Sequence, residues 1–534
     1  MSFSDTGRKG SDKNLDSAKP DGKSIEKAYL CAGFCHARMQ RNALIYACSL
    51  ACLLLVGLLL LGLLPDLSVG GRALRRVDIL ADVRVLPPRD TGETDGPGSA
   101  HTADSTLLAA DSLAAQGPDS LARVLELRRQ RQDSLLAIAW ANRAWELDTT
   151  GLIGIEDYSD STMRGMVAFY RALDRLQTEG RPVRIAYFGD SFVEGDILTA
   201  DLREKLQRQF GGRGVGFVPV TSIVSRYRPT VTHDFHDWVS HSVMDAAGTF
   251  DPTLLGLSGH YFVPQGPGAY VQLQGVSRYA RLDTCQRATI IFRNRGMLTL
   301  SVQVNGNQTR QTRTFGPADS LQTMTVEGRI GAVLWTVEQA DSALFYGLTM
   351  DDPAGVAVDN FGLRSNSGLK FLQVPEQTMR EFCRLRPYDL IVLQYGINVA
   401  NEDQVNYEGY INGMRRVIRR LKDNFPDAAI LVVGVSDRDT RTEDGDLRTM
   451  PGIKPLMRSQ QDLAREEAVA FWNLFRAMGG EESMLRFAHA EPAMANHDYI
   501  HINFRGGRHI AQSLFDAIMQ GKQQFDQWRR DHEE

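Results

Sequence analysis

The sequence is poor in several features that mark common protein classes. Six cysteines in 534 residues are too few for a disulfide framework. Four of them, Cys31, Cys35, Cys48 and Cys52, lie in or before the first apolar segment, and spacing alone does not decide whether the remaining two, Cys285 and Cys383, pair. No GxxxxGK[ST] loop, HExxH pair or paired CxxC occurs, which removes the usual nucleotide and zinc signatures. Charge of one sign is lacking too: 60 basic and 65 acidic residues leave a net −5, no footprint for a nucleic-acid partner.

Long apolar runs are equally scarce, and the exception is informative. Ala43 to Leu64 is uncharged, mostly Leu, Ala, Val and Gly, and ends at Pro65-Asp66. About 20 such residues span a bilayer, so a transmembrane helix is expected over 43–64. A cleaved signal peptide fits less well, because residues 1–42 precede the run and no small-x-small site follows it. Lys23, Lys27, Arg38 and Arg41 on one flank balance Arg72, Arg75, Arg76 and Arg84 on the other, so flanking charge does not set the orientation. With one span only, the globular part is expected on one side of the membrane.

Around this span the chain divides by composition. Residues 1–42 form a short polar tail, and 65–158 read as a linker and helical spacer. The linker shows in Pro87-Pro88 and Asp95-Gly96-Pro97-Gly98, and the spacer in Leu121, Val124, Leu125, Leu135 and Leu136. Heptads are not sustained there, which favours a spacer over a self-association helix. The remainder splits into an α/β part (159–224), a β region (225–355) and a second α/β part (356–534).

The α/β part is organised around Val183-Arg-Ile-Ala-Tyr-Phe-Gly-Asp-Ser-Phe-Val-Glu-Gly-Asp196. Val183 to Phe188 is a short apolar run rich in β-formers, broken at Gly189-Asp190-Ser191. Ile197, Leu198, Leu202, Leu206 and Phe210 then recur at helical spacing until Gly211-Gly212. A strand, a tight turn and a helix put Ser191 at the carboxyl end of a parallel strand, beside a helix amino terminus that favours a developing negative charge. The glycine-dense Gly211–Phe217 reads as a tight connection, since no Lys-Ser/Thr end makes it a phosphate cradle.

Between 225 and 355 helical periodicity gives way to short alternating runs, among them Leu298–Val304 and Ala332–Val337, separated by turns such as Asn305-Gly306-Asn307. This predicts an inserted antiparallel sandwich. The strand Asp389–Tyr395, a helix over Tyr407–Asn424, the strand Ala429–Val435, a helix over Lys454–Glu467, the strand Val469–Trp472 and a last helix from Arg505 restore the α/β pattern. Such alternation means a parallel sheet covered on both faces, with active groups at the carboxyl ends of its strands. Ser191 and Asn398 both fall there. Just before the last helix, Asp498 and His501 stand three apart on a loop, a carboxylate and an imidazole able to serve one serine.

Together Gly189-Asp190-Ser191, Gly396-x-Asn398 and Asp498-x-x-His501 resemble the first, third and last blocks of the SGNH (GDSL-type) hydrolase superfamily, over roughly residues 160 to 520. The resemblance implies an SGNH-type three-layer α/β/α parallel sheet with an inserted β-sandwich. It implies Ser191 as nucleophile, His501 as general base and Asp498 as its partner. The Ser191 N–H and the Asn398 amide would line the oxyanion hole. The second block departs from the pattern: Asp359-Asn-Phe-Gly-Leu-Arg-Ser365-Asn-Ser-Gly368 has Ser365 where glycine is expected, and Gly362 and Gly368 are alternatives for that oxyanion donor. The third block continues as Asn398-Val-Ala instead of Asn-Asp or Asn-Glu.

Gly-Asp-Ser-x-x-x-Gly-Asp196, the glycine-dense loop and the β insertion resemble the peptidoglycan O-acetylesterase branch. That likeness implies a bacterial inner-membrane protein, single-pass through 43–64, with its catalytic part in the periplasm and neither metal nor other cofactor. The expected function is a serine esterase removing O-acetyl groups from an acetylated cell-envelope polysaccharide such as peptidoglycan. A glycan O-acetyltransferase with a membrane acetyl-donor partner is the alternative, and a glycan-binding scaffold without catalysis the second. Trp238, Tyr261, Tyr270, Trp335 and Tyr346 of the sandwich are candidates to meet a sugar, although for each alone core packing is the commoner outcome; Asp190, Trp335 and Tyr346 are carried forward as substrate contacts.

Overall fold

The computed structural model describes residues 151–533, apart from 160–164 and 179, together with two short strands, Ser68–Val69 and Arg72–Ala73, that pair antiparallel. The polar tail, the apolar run 43–64 and the spacer residues 121–136 lie outside the described residues. Among the described residues no helix is long and apolar enough to cross a membrane.

The α/β part is built on a six-stranded sheet. Its strands are β1 (Glu156–Asp157), β2 (Val183–Gly189), β3 (Val356–Gly362), β4 (Leu390–Gln394), β5 (Ala429–Val433) and β6 (Ala470–Trp472). Their order is β3-β2-β4-β5-β6-β1, parallel throughout except for the antiparallel β6–β1 pair. Every residue of β2, β4 and β5 is buried, as expected where helices cover both faces. The helices are α1 (Met166–Asp174), α2 (Thr199–Phe210), α3 (Glu376–Leu385), α4 (Glu408–Asn424), α5 (Ile453–Glu466), α6 (Leu474–Ala477), α7 (Ser483–Ala488) and α8 (Phe504–Glu533). Helix α8 packs on α1 and α2, while α4 packs on α3 and α5.

This strand order contains one reversal. After the edge strand β1 the parallel strands start in the middle at β2, move outward to β3, then cross back to β4 on the other side of β2. In open α/β sheets ligands bind outside the carboxyl ends of the strands where the winding direction switches. Here that point lies between β2 and β4, which end just before Ser191 and Asn398.

Strand β3 has no clear sequence signal, because Asp359 and Asn360 interrupt its apolar pattern. Both are buried, and both are satisfied. Asp359 accepts hydrogen bonds from Arg386, from the Tyr388 hydroxyl at 2.8 Å and from the Phe217 N–H at 2.9 Å. Burial by itself would raise the Asp359 carboxyl, but the Arg386 guanidinium and these donors hold it below the usual carboxylate range.

The insertion is an antiparallel sandwich. One sheet runs Gln322–Ile330, Cys285–Asn294, Ala343–Asp351, His260–Pro264 and Trp238–Ser242. The other runs Gln311–Phe315, Leu298–Val304, Ala332–Ala340, Tyr270–Gly275 and Val231–His236. Gly216–Val218, ahead of residue 225, also pairs with Ala343–Asp351, so the glycine-dense loop feeds the sandwich. Gly212 needs its positive φ of 92° and its missing side chain, because a Cβ there would stand 2.6 Å from the Val356 carbonyl oxygen. The inner faces share a core that includes Val271, Phe292, Leu300, Trp335 and Phe345.

The outer face of the first sheet is buried as well. Phe217, Tyr261, Ile291 and Tyr346 join the apolar core of the α/β part. Beside them Arg293 and Glu381 form a buried ion pair at 2.6 Å, and the Leu321 N–H donates to the same carboxylate at 3.0 Å. Cys285 and Cys383 are free thiols, and burial pushes the Cys285 thiol up to about 12.

Candidate active site

Strand β2 ends at Gly189, where any side chain would collide: a Cβ would stand 2.4 Å from Val193 Cγ2. The chain then folds back tightly, with the Val193 and Glu194 N–H groups both donating to the Asp190 carbonyl at 3.1 Å. The Phe192 N–H takes the Asp190 carboxylate at 3.1 Å. Among the described residues nothing accepts from the Ser191 N–H. A short 3-10 turn, Glu194–Asp196, leads into α2.

Asp190 is not a substrate contact. It is 2% exposed beneath the turn, where its carboxylate holds the Phe192 N–H. Burial pushes its pKa up to about 7 despite that hydrogen bond. The two expected aromatics are also internal. Trp335 alternates with Val333 and Val337 on the inward face of its strand and is 1% exposed. Tyr346 is fully buried between sandwich and α/β part, edge-on to Phe382 at 6.1 Å. In both cases the period of the strand directs the ring into a core.

The second block packs directly on the nucleophile turn. The Leu363 N–H donates to the Gly189 carbonyl at 2.9 Å, and Arg364 Nε donates to Glu194 Oε2 at 2.8 Å. Ser365 is exposed and left-handed, with φ 62°, a conformation glycine adopts at lower cost. The alternative donors are already engaged: the Gly362 N–H bonds Asn360 Oδ1 at 2.6 Å, and the Gly368 N–H bonds Asn366 Oδ1 at 2.9 Å. Among the described residues nothing accepts from the Ser365 N–H.

The third block follows β4. Gly396, at φ 135°, sits against Val435 and Gln460, so the chain turns sharply to expose Asn398. Asn398 Nδ2 donates to the Asn366 carbonyl at 3.2 Å, one residue past Ser365. The second and third blocks therefore meet.

The last block is a small hairpin closed by the Ala495–Ile502 bridge and by Asn496 N–H to the His501 carbonyl at 2.8 Å. His501 Nδ1 lies 2.8 Å from Asp498 Oδ2, and Asp498 Oδ1 accepts the Ile500 and His501 N–H groups, each at 3.0 Å. Burial works to raise the Asp498 carboxyl, but the two N–H groups and the His501 ring outweigh it and hold it below the usual range. Among the described residues Nε2 of the imidazole has no hydrogen-bond partner, and Ser191 Oγ is not within hydrogen-bond distance of it. The other histidines pack on rings: His489 lies against His497 and Tyr499, and His509 edge-on to Phe487.

Helix α8 fastens this hairpin to the Ser191 side of the molecule. Gly507 comes so close to Ile197 that a Cβ would stand 2.0 Å from its carbonyl oxygen. One residue later Arg508 pairs with Asp201 at 2.8 Å. Gly507 lies six residues after His501 and Ile197 six residues after Ser191, so the two lead-ins start from one anchor point.

No family model matches the chain, and no curated protein is similar to it at a meaningful level. Solved structures are. A chain from the structure "Peptidoglycan O-acetylesterase in action, 5 min" matches with TM-score 0.56 and 21% identity, covering 69% of this chain and 99% of its own. A family two carbohydrate esterase from Cellvibrio japonicus matches at TM-score 0.22 and 12% identity, covering 55% of this chain and 99% of its own. A candidate GDSL-like lipase from Parabacteroides merdae matches at TM-score 0.23 and 16% identity, covering 31% and 73%. The first likeness extends over the sandwich and the α/β part together; the other two are too distant to carry an argument. In fold, the chain resembles that peptidoglycan O-acetylesterase chain.

Proposed function

We propose that this chain is a membrane-anchored serine esterase that removes O-acetyl groups from a cell-envelope glycan such as peptidoglycan. The observation that carries this reading is the hydrogen-bonded joining of the first three blocks, Leu363 to Gly189 and Asn398 to Asn366, with the helix after the His501 hairpin seated through Gly507 on Ile197, six residues past Ser191. The likeness to a peptidoglycan O-acetylesterase chain supports the choice of substrate. The uncharged run 43–64 supports the anchor, and a peptidoglycan substrate would require the catalytic part in the periplasm.

In this reading Ser191 Oγ attacks the acetyl carbonyl carbon while its proton passes to His501 Nε2. Asp498 holds the ring through Nδ1–H and stabilises the imidazolium. The negative oxygen of the tetrahedral intermediate accepts from the Ser191 N–H, the Ser365 N–H and the Asn398 amide, groups fixed before the reaction starts. The C–O bond to the sugar breaks, and the sugar oxygen takes the proton from His501. Water then gives a proton to His501 and attacks acetyl-Ser191, and acetate leaves as the proton returns to Ser191.

Free Ser365 and engaged Gly362 and Gly368 N–H groups support Ser365 as the second-block donor. The test is acetate release by the purified full-length protein from acetylated peptidoglycan, acetylated xylan and an aryl acetate. Release from peptidoglycan that disappears in Ser191→Ala supports the reading; release that persists in that variant overturns it. A reporter fused after residue 534 that is active only in the cytoplasm would overturn the periplasmic placement.

A further inference from the structure

The three residues of the turn after the nucleophile each hold a different piece of the surrounding surface. Glu194 accepts Arg364 Nε at 2.8 Å. Gly195, at φ 64°, lies against Val224, whose Cγ2 is 3.8 Å from where a Cβ would stand. Asp196 is fully buried and accepts from Arg228 Nε at 2.8 Å and from the Thr230 hydroxyl. The segment between Thr221 and Thr230 is thus pinned beside the nucleophile from two points. It is ordered internally as well, with the Tyr227 and Arg228 N–H groups donating to the Val224 carbonyl at 2.9 and 3.0 Å.

This knob displays Ile223 and Tyr227, which are 88% and 77% exposed, the most exposed large apolar side chains among the described residues. Arg364 is 60% exposed on the other attachment. Its Nε is taken by Glu194, while among the described residues its two terminal amino groups have no protein partner. Four residues of chain separate Ser191 from Gly195, a reach of at most about 14 Å when extended and less in a turn. An aromatic face and a guanidinium fork are therefore both attached to the turn that follows Ser191, one through Gly195 and the other through Glu194.

We propose that Arg364 and the Tyr227 knob form the substrate rim of this site, and that the glycan it accepts carries carboxylates. A sugar ring lies against Tyr227 and Ile223, where its C–H face meets apolar surface. The two free amino groups of Arg364 pair with a carboxylate of the same polymer, a geometry that suits a guanidinium and not an ammonium. Glu194 is a positioning residue: it fixes the fork, so little side-chain freedom is lost on binding. The substrate class rests on the esterase reading for its acetyl group, whereas binding of the carboxylated glycan does not.

The test compares wild type, Arg364→Gln, Arg364→Lys and Tyr227→Ala on O-acetylated polygalacturonan, which is carboxylated, and O-acetylated glucomannan, which is neutral. In wild type kcat/KM favours the carboxylated polymer, and added salt erodes that preference. Arg364→Gln lowers the carboxylated-to-neutral ratio about tenfold, mainly through KM, as loss of a charged hydrogen bond should. Arg364→Lys recovers only part of it. Tyr227→Ala raises KM for both polymers. Equal losses on both polymers in Arg364→Gln would reduce Arg364 to a loop support and overturn the proposal, as would an unmoved KM in Tyr227→Ala. Calorimetry with Ser191→Ala, alone and combined with Arg364→Gln, on oligogalacturonide and mannan oligosaccharide decides the same point without turnover. A preference for oligogalacturonide that Arg364→Gln abolishes supports the rim even where no acetate is released; absence of that preference sinks it. Acetate release from aryl acetate by wild type and not by Ser191→Ala reports on the esterase reading separately.

Discussion

Asp498 Oδ2 and His501 Nδ1 stand 2.8 Å apart, three residues from each other on one hairpin. The carboxylate also gathers the Ile500 and His501 N–H groups, so the pair is built by its own loop. In the proposed mechanism His501 is the base that takes the Ser191 proton, so His501→Ala is expected to reduce turnover of an aryl acetate by roughly 10³-fold or more. Asp498→Asn should cost less, and His497→Ala, whose ring packs on His489, little. Steady-state kinetics on the three variants check this, and a greater loss in His497→Ala than in His501→Ala would refute the assignment.

Ser191 is 6% exposed in a turn whose other N–H groups are engaged by Asp190. Ser191→Ala removes one hydroxyl and no hydrogen bond of that turn. Turnover should fall by a factor on the order of 10³ or more, with the thermal midpoint within a few degrees of wild type. Scanning calorimetry beside the kinetic assay separates loss of chemistry from loss of fold.

Ser365 holds φ at 62° without being glycine. Ser365→Gly keeps the N–H and relieves the backbone, and is expected to raise stability by about 1 kcal/mol. Replacing the amide N–H of Ser365 by an ester oxygen, through the α-hydroxy acid analogue of serine, removes the donor without changing the side chain and should lower kcat by about 10²-fold. Denaturation midpoints and kcat measured together test both statements; a Ser365→Gly variant less stable than wild type would contradict the strain argument.

Asp196 accepts from Arg203, Arg228, Thr199, Thr230 and Asn360 with no exposure of its own. Burial alone would raise its carboxyl, but the Arg203 and Arg228 guanidinium groups hold it far below the usual range. Asp196→Asn leaves two buried cations without their counter-charge and should destabilise the protein by about 3–5 kcal/mol. Urea denaturation measures this, and a shift under 1 kcal/mol, roughly, would show that the arginines find other partners.

Asp190 titrates in the opposite sense. Burial places its folded pKa at about 7, above the ordinary 3.8. The folded state then retains a proton that the unfolded state has released, so stability falls as pH rises from about 4 to about 7 and is level above. The full effect is about 4 kcal/mol. Asp190→Asn, which still accepts the Phe192 N–H, should flatten that part of the profile. Denaturation midpoints across this pH range, compared with wild type, show whether it does.

Much of this was legible in residue order alone. The apolar run 183–188 became β2, and Asp389–Tyr395 and Ala429–Val435 became β4 and β5, because a strand buried on both faces needs unbroken apolar residues. Ser191, Asn398, Asp498 and His501 stand out in the sequence because each sits in a short motif; the roles given to them remain part of the proposal above. The Asp498–His501 contact spans three residues and needs no distant partner.

Tertiary structure alone decided the rest. Strand β3 was hidden because Asp359 and Asn360 read as loop residues; Arg386 and Tyr388, brought from elsewhere in the chain, make the burial of Asp359 tolerable, and Val193, Asp196 and Thr199 that of Asn360. The choice of Ser365 over Gly362 and Gly368 depends on which N–H groups neighbouring side chains occupy, and no spacing reveals that. Trp335 and Tyr346 resembled surface aromatics while Tyr227 and Arg364 resembled nothing in particular. Exposure belongs to the packed molecule: the period of a strand says which residues share a face, but not whether a second sheet or a helix covers that face.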